Sequence, residues 1–366
     1  MVPAMGDTID CIAAPENPGD LFGELDAGLR AGATDWQFKG GEPVYVRIAG
    51  RLVPFSQPPQ PEGRLHALAM EALGRPVRVP PDSDASFVHR GEVFRFHSYS
   101  SGGVFCLNLR HILSRIPALE TLGVPPGFRS AVLQSRAGLI LVTGPAGSGK
   151  STTLAAALDS RNRANAEMIL TFEDPVEFRH NNQRAVVRQM EKGRDFESFA
   201  AALRGALRCD PDTILVGEMR DLDTMAAALT AAETGHLVLG TLHCATAKDA
   251  VSRIIDSFPA ARSAEVRAQL AKSFVAILAQ QLVPAPGRKP VCAFELLLAT
   301  PGTRHLIADP DGNTDLLANE IATGRARGMI SMDQSLEDLW RRRAIDAAEA
   351  LRCAANPQAL EARLKR

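Results

Sequence analysis

Residues 144–151 read Gly-Pro-Ala-Gly-Ser-Gly-Lys-Ser, the G-x-x-x-x-G-K-[ST] spacing of a phosphate-binding loop. Each residue type has a task there. Gly144, Gly147 and Gly149 let the backbone curl until the N–H groups around Ala146 and Ser148 converge on phosphate oxygens. The Lys150 ammonium reaches the β and γ phosphates, and the Ser151 hydroxyl suits Mg²⁺. A helix is expected to start near Lys150 and to run through Thr152, adding the positive end of its dipole. The implied ligands are ATP and Mg²⁺, and a chance glycine-rich turn is the competing reading.

Acidic groups follow at useful places. The apolar run 213–217 ends in Glu218, where a carboxylate can hold the Mg²⁺ hydration shell or polarise an attacking water. A second cluster, Glu173-Asp174-Pro175-Val176-Glu177, follows the apolar run 168–172. Ligands in parallel sheets sit beyond the carboxyl ends of strands, so both acids point toward the nucleotide. A solvated Asp-Pro turn is the alternative for the second cluster. His236 and His243 bracket the run 237–242; each is a phosphate sensor, a contact to a neighbour, or a plain structural histidine.

Such a site needs a sheet flanked by helices. Beyond residue 126 the chain supplies it: short apolar strands are expected at 138–143, 168–172, 213–217 and 236–242, alternating with helical stretches. Phe196, Phe199, Leu203 and Leu207 recur at helical spacing. The first ~110 residues look different. A loose leader (1–18) precedes an amphipathic helix at 21–29, a hairpin at 44–48 and 52–55 around Ala49-Gly50, a helix at 65–73, and strands at 93–98 and 104–109. This is a small α+β domain. Pro117, Pro125 and Pro126 mark a linker, and from about residue 301 the chain turns helical and charged.

Composition narrows the partners. A net charge of −1 gives no general pull toward nucleic acid or anionic lipid, and 5% aromatic residues offer few stacking platforms, so nucleic acid is not expected. Six scattered cysteines without a C-x-x-C pair argue against zinc and disulfides. No signal peptide or apolar run of ~18 residues is evident, so a cytoplasmic protein is expected.

Longer stretches then resemble one family. Residues 171–177 (TFEDPVE), 212–221 (DTILVGEMRD) and 230–243 (TAAETGHLVLGTLH) resemble the aspartate box, Walker B segment and histidine box of type II/type IV secretion ATPases. Residues 253–259 (RIIDSFP) and 328–336 (GMISMDQSL) are similar too, most of all to the pilus-retraction branch. The resemblance implies a homo-hexameric ring motor that hydrolyses ATP and docks peripherally on an inner-membrane pilus or secretion platform. It implies a PAS-like domain at 19–112, a linker at 113–126, a RecA-like P-loop domain at 127–300 and a helical extension at 301–366. By the same match Glu218 is the catalytic glutamate, Glu173 supports Mg²⁺ and water, and His243 joins the catalytic set. Arg95 and Arg110, near successive strand ends, align with arginines that the family's N-terminal domain sends to the γ-phosphate.

The chain departs from the pattern in three places: Ser100-Ser101-Gly102 replaces an Arg-Gln-Arg-like stretch, residues 34–38 replace Ser-Asp-Leu-His-Leu, and 302–309 replace the retraction signature. Extension and type II secretion ATPases carry a tetracysteine insert that this chain lacks. A Dot/Icm-like or conjugation-like secretion ATPase is the runner-up. A DNA translocase or a non-hydrolysing regulatory paralogue would be a different class; intact Lys150 and Glu218 speak against the latter.

Overall fold

The computed structural model describes residues 21–48, 51–55, 59, 61–73, 79–112, 116–285, 290–310 and 314–365. The expected leader and the Ala49-Gly50 turn lie outside them. The chain divides into two compact units, one ending at Arg115 and one running from Ile116 to Arg366.

The first unit follows the order α1 (Leu21–Arg30), β1 (Ala33–Lys39), β2 (Tyr45–Ile48), β3 (Arg51–Pro54), α2 (Glu62–Leu73), β4 (Ser83–His89), β5 (Glu92–Ser101) and β6 (Val104–Ile112). Its strands form an antiparallel sheet in the order β3-β2-β1-β6-β5-β4. The period-2 rule decides which side chains go inside. Trp36, Phe38, Phe94, Phe96, Phe105 and Leu107 bury one face against Leu25 of α1 and Leu65 and Ala69 of α2. Asp35, Arg95 and Arg110 take the alternate positions on the other face. The hairpin β5–β6 is longer than expected because Ser100 and Ser101 stay in the strand. Its turn is confined to Gly102 and Gly103, with φ of 63° and 81°.

The second unit begins with α3 (Pro126–Gln134), β7 (Gly138–Thr143), α4 (Lys150–Ala164), β8 (Met168–Glu173) and β9 (Val186–Glu191). It continues through α5 (Phe199–Ala206), β10 (Thr213–Val216), α6 (Leu222–Glu233), β11 (Leu237–Leu242), α7 (Ala247–Asp256), α8 (Ser263–Ser273), β12 (Phe274–Val283) and β13 (Val291–Leu298). The sheet order is β13-β12-β7-β11-β10-β8-β9, parallel except for β13 at the edge. Helices cover both faces. Leu139 and Leu141 join the core under α5 to α8, while Ile140 and Val142 join the core under α3 and α4. This is the α/β, RecA-like arrangement expected. Strands β7, β10 and β11 are buried along their whole length, which is why each reads as a continuous apolar run.

Strands β9, β12 and β13 were not expected from the sequence. Strand β12 follows α8 with no intervening loop, so no turn residue announces it. The proline-marked stretch 117–126 places Leu119 and Val124 in the core under α3 and α4. Helix α5 starts after its cap Ser198, leaving Phe196 ahead of the helix, edge-on to both Phe172 and Phe199. The C-terminal part is helical as expected: α9 (Pro301–Ala308), α10 (Leu316–Thr323), α11 (Met332–Arg341), α12 (Ala347–Cys353) and α13 (Pro357–Leu364). Leu336, Ala350 and Leu360 from the last three pack with Val283 and Ala293 of the β12–β13 hairpin. Among the described residues no helix is long and apolar enough to cross a membrane.

Candidate nucleotide site

Parallel pairing gathers the chemistry at one edge. Val216 pairs with Phe172 and with Gly240, and Leu242 pairs with Thr143. The carboxyl ends of β7, β8, β10 and β11 therefore deliver the 144–151 loop, Glu173, Glu218 and His243 to the same side of the sheet.

The loop leaves β7 at Gly144, where φ is 150° and an added Cβ would collide with the Gln280 carbonyl oxygen of β12. Gly147 has φ of 74°, and its surroundings are open. Glycine is required at the first position by crowding and at the second by conformation. Ala146 and Gly147 are exposed, whereas Ser148 is buried. Helix α4 then begins at Lys150 with no side chain capping its N-terminus. An open backbone concavity, an uncapped helix start and an exposed Ser151 hydroxyl fit a nucleotide phosphate with its Mg²⁺.

The Lys150 ammonium donates to the carbonyls of Gly144 and Pro145, both at 2.9 Å, and lies 3.5 Å from His243 Nδ1. Burial pushes its pKa down, and the carboxylates of Glu218 and Glu177 pull it back up. Across the same ring, His243 Nε2 is 3.1 Å from Glu218 Oε1. His243 thus bridges Lys150 and Glu218. The Glu218 oxygen also meets Arg220 Nε at 2.5 Å.

Two threonines that the sequence reading passed over set this geometry. Thr143 Oγ1 donates to Cys244 O at 2.7 Å and accepts from Cys244 N at 2.9 Å, fixing the turn that carries His243. Thr241 Oγ1 donates to Gly217 O at 2.5 Å, while Met219 N donates to Thr241 O, so β11 holds Glu218 from both sides. Glu173 is fixed in a comparable way. Its Oε1 accepts from Thr171 Oγ1 at 2.7 Å and from Gln189 Nε2 at 3.0 Å. Burial raises its pKa, and hydrogen bonds from Thr171, Gln189 and the Glu177 backbone oppose the rise.

Three expected residues are placed in ways that the sequence did not specify. His236 precedes β11 at its amino end, and its carbonyl accepts from Gly138 N at the start of β7. The length of β7 and β11, roughly 20 Å, separates it from the phosphate loop. His236 thus stands at the end of β11 away from the phosphate-binding loop of its own chain. Its ring contacts Ala231 O at 3.1 Å, a local tie at the end of α6. Arg95 and Arg110, in the first unit, are cross-strand partners on β5 and β6 and not merely neighbours near strand ends. Arg110 Nε donates to Asp35 Oδ1 at 2.7 Å, and Arg95 lies 3.7 Å from Asp84. With Arg47, His97 and Asn108 they line a concavity of about 380 Å³ on the open sheet face.

His180 offers a test of the second unit's stability. Burial pushes its pKa down to about 4, against a weak upward pull from Asp159, and its Nδ1 is buried without a partner. In the folded chain the ring stays neutral while an unfolded histidine protonates near about 6.5. Its contribution is complete above that value and is lost as pH falls toward the folded pKa. Urea unfolding at about pH 7.5 and about pH 4.5 should show His180→Gln losing about 2 kcal/mol less than the parent over that interval. Equal losses would mean that His180 titrates normally.

The family model for type II/IV secretion system proteins matches residues 105–350. The chain is 40% identical over 329 residues to the type IV pilus retractation ATPase PilT of Pseudomonas aeruginosa, covering 87% of this chain and 94% of that one. The solved structure of the pilus retraction motor PilT with bound ADP superposes with a TM-score of 0.84 at 36% identity, over 94% of this chain and 99% of the other. The Legionella pneumophila ATPase DotB superposes with a TM-score of 0.75 at 25% identity, over 93% and 98%.

Proposed function

The chain belongs to the type II/IV secretion system protein family, most like its pilus-retraction members, and from that premise we propose that it is the hexameric ATPase that powers retraction of a type IV pilus. It is an ATP-hydrolysing enzyme of that family. The observation that carries the retraction reading is the extent of the likeness: the retraction ATPase is matched along nearly its whole length, far beyond the phosphate loop.

In this reading the backbone N–H groups of the loop, with those of Ser151 and Thr152, hold the nucleotide phosphates. Lys150 supplies the countercharge at the β and γ positions. Mg²⁺, when bound, offsets phosphate charge; the Ser151 hydroxyl would hold it directly, with Glu173 and Glu218 acting through water. Glu218 orients the attacking water and takes its proton. His243, touching both Lys150 and Glu218, ties the residue that feels phosphate to the residue that activates water. By the family resemblance, Arg95 and Arg110 answer to the arginines that serve the γ-phosphate in this family; within its own unit Arg110 is held by Asp35. Hydrolysis would be coupled to an inner-membrane platform protein, with the ring docked at the cytoplasmic face.

Deleting the gene in its own host should leave cells with more surface pili and little twitching motility, counted by electron microscopy and stab-agar zones. Cells without pili would move the assignment to extension. A secretion ATPase is the second reading, favoured by the likeness to DotB and by the altered 302–309 stretch. Normal pili with failed protein export would establish it.

A further inference from the structure

A loop that turns its N–H groups toward a phosphate turns its carbonyls outward, and each buried carbonyl then needs a donor from elsewhere. The carbonyls of Gly144 and Pro145 have Lys150. Ser148 is only 2% exposed, and its carbonyl accepts from Gln280 Nε2 at 2.6 Å. Gln280 is also 2% exposed. It comes from β12, where the preceding residue Ala279 pairs with Thr143, so Gln280 stands beside the point where the loop leaves the sheet.

The same residue meets the loop at both ends. Its backbone carbonyl is the atom that a Cβ on Gly144 would strike, and its Nε2 lies 3.3 Å from where a Cβ on Gly149 would stand. Only the donor end of the amide can face the Ser148 carbonyl, because the reverse orientation would oppose two oxygens. Gln280 Oε1 has no partner, nor does the buried Ser148 Oγ. Keeping a half-satisfied amide here is costly, and a purely packing role would avoid that cost with leucine.

We propose that Gln280 is a positioning residue for nucleotide binding: its amide holds the Ser148 peptide so that the loop's N–H groups converge on phosphate. The proposal rests on the nucleotide reading of that loop. Losing the donor leaves a buried carbonyl unpaired and lets the loop relax, so ADP binding weakens by about tenfold.

The test is ADP titration by calorimetry on the full chain, comparing the parent with Gln280→Leu and Gln280→Glu, each checked by thermal melting. Gln280→Leu should bind ADP about tenfold more weakly while melting within a few degrees of the parent. In Gln280→Glu the carboxyl can donate to Ser148 only while protonated. Burial at this position raises that carboxyl's pKa toward neutrality, so the variant's ADP affinity relative to the parent should rise as pH falls from about 8 to about 5.5. This pH dependence carries the test if Gln280→Leu folds poorly. Parental affinity in Gln280→Leu, or a pH profile in Gln280→Glu that tracks the parent, overturns the positioning role alone. A parent chain that binds no ADP overturns the nucleotide reading and this proposal together.

Discussion

Glu218→Gln should lower kcat for ATP hydrolysis by ~10²–10⁴ while leaving ATP binding close to parental. Glutamine keeps the length and shape of the side chain, so the supports of this position survive: Gly217 N donates to Phe172 O at 2.8 Å, and Gly217 O accepts from Thr241. Gly217 leaves little room beside it, since a Cβ there would come within 3.1 Å of that same Phe172 oxygen. What disappears is the ability to take a proton. The ion pair with Arg220 disappears too, but Arg220 is largely exposed, and such pairs contribute little to stability. The variant should thus fold, bind and stall. Single-turnover assays separate this outcome from weakened binding. Hydrolysis at the parental rate would remove Glu218 from the chemistry and turn attention to Glu173, a second carboxylate at that edge.

Much of this site was legible because its signals are local. Strand β7 and the loop after it are contiguous, and β10 and β11 read as apolar runs because helices bury both of their faces. The residues that hold the site rigid were not legible, because their partners are remote in sequence. Ser148 and Gln280 are 132 positions apart, and Thr143 and Cys244 are 101 apart. A glutamine within an apolar run, or a threonine at a strand end, carries no local mark of such a partner. The two histidines make the same point from the other direction. His236 and His243 look equivalent as brackets of one run, and only the parallel direction of β11 sends one to the phosphate edge and the other to the opposite end. Arg95 and Arg110 could be aligned with a family pattern, but their facing positions follow from the two-residue turn at Gly102-Gly103, which sets the β5–β6 register.

Lys150→Ala should abolish turnover and weaken ATP and ADP binding by ~10²–10⁴, the loss of two charge-assisted hydrogen bonds. The geometry explains why the effect is large. Lys150 is 9% exposed, and its ammonium has already left bulk water. Burial works against its charge, and Glu218 and Glu177 only partly compensate. A polyphosphate is a stronger partner for that charge than the neutral carbonyls of Gly144 and Pro145. Alanine offers no charge, no donor and no length. The loss to the fold is smaller than the loss of binding: removing a desolvated ammonium removes the cost of keeping it buried, which offsets part of what the Gly144 and Pro145 carbonyls lose. Thermal melting should therefore stay near the parental curve while nucleotide affinity collapses, the opposite of a folding defect. Fluorescent-nucleotide titration of both variants makes the comparison direct, since Glu218→Gln should bind and Lys150→Ala should not. Parental affinity in Lys150→Ala would mean that the ammonium does not touch phosphate, and His243 would then bridge to Glu218 from a lysine that serves only to close its own loop.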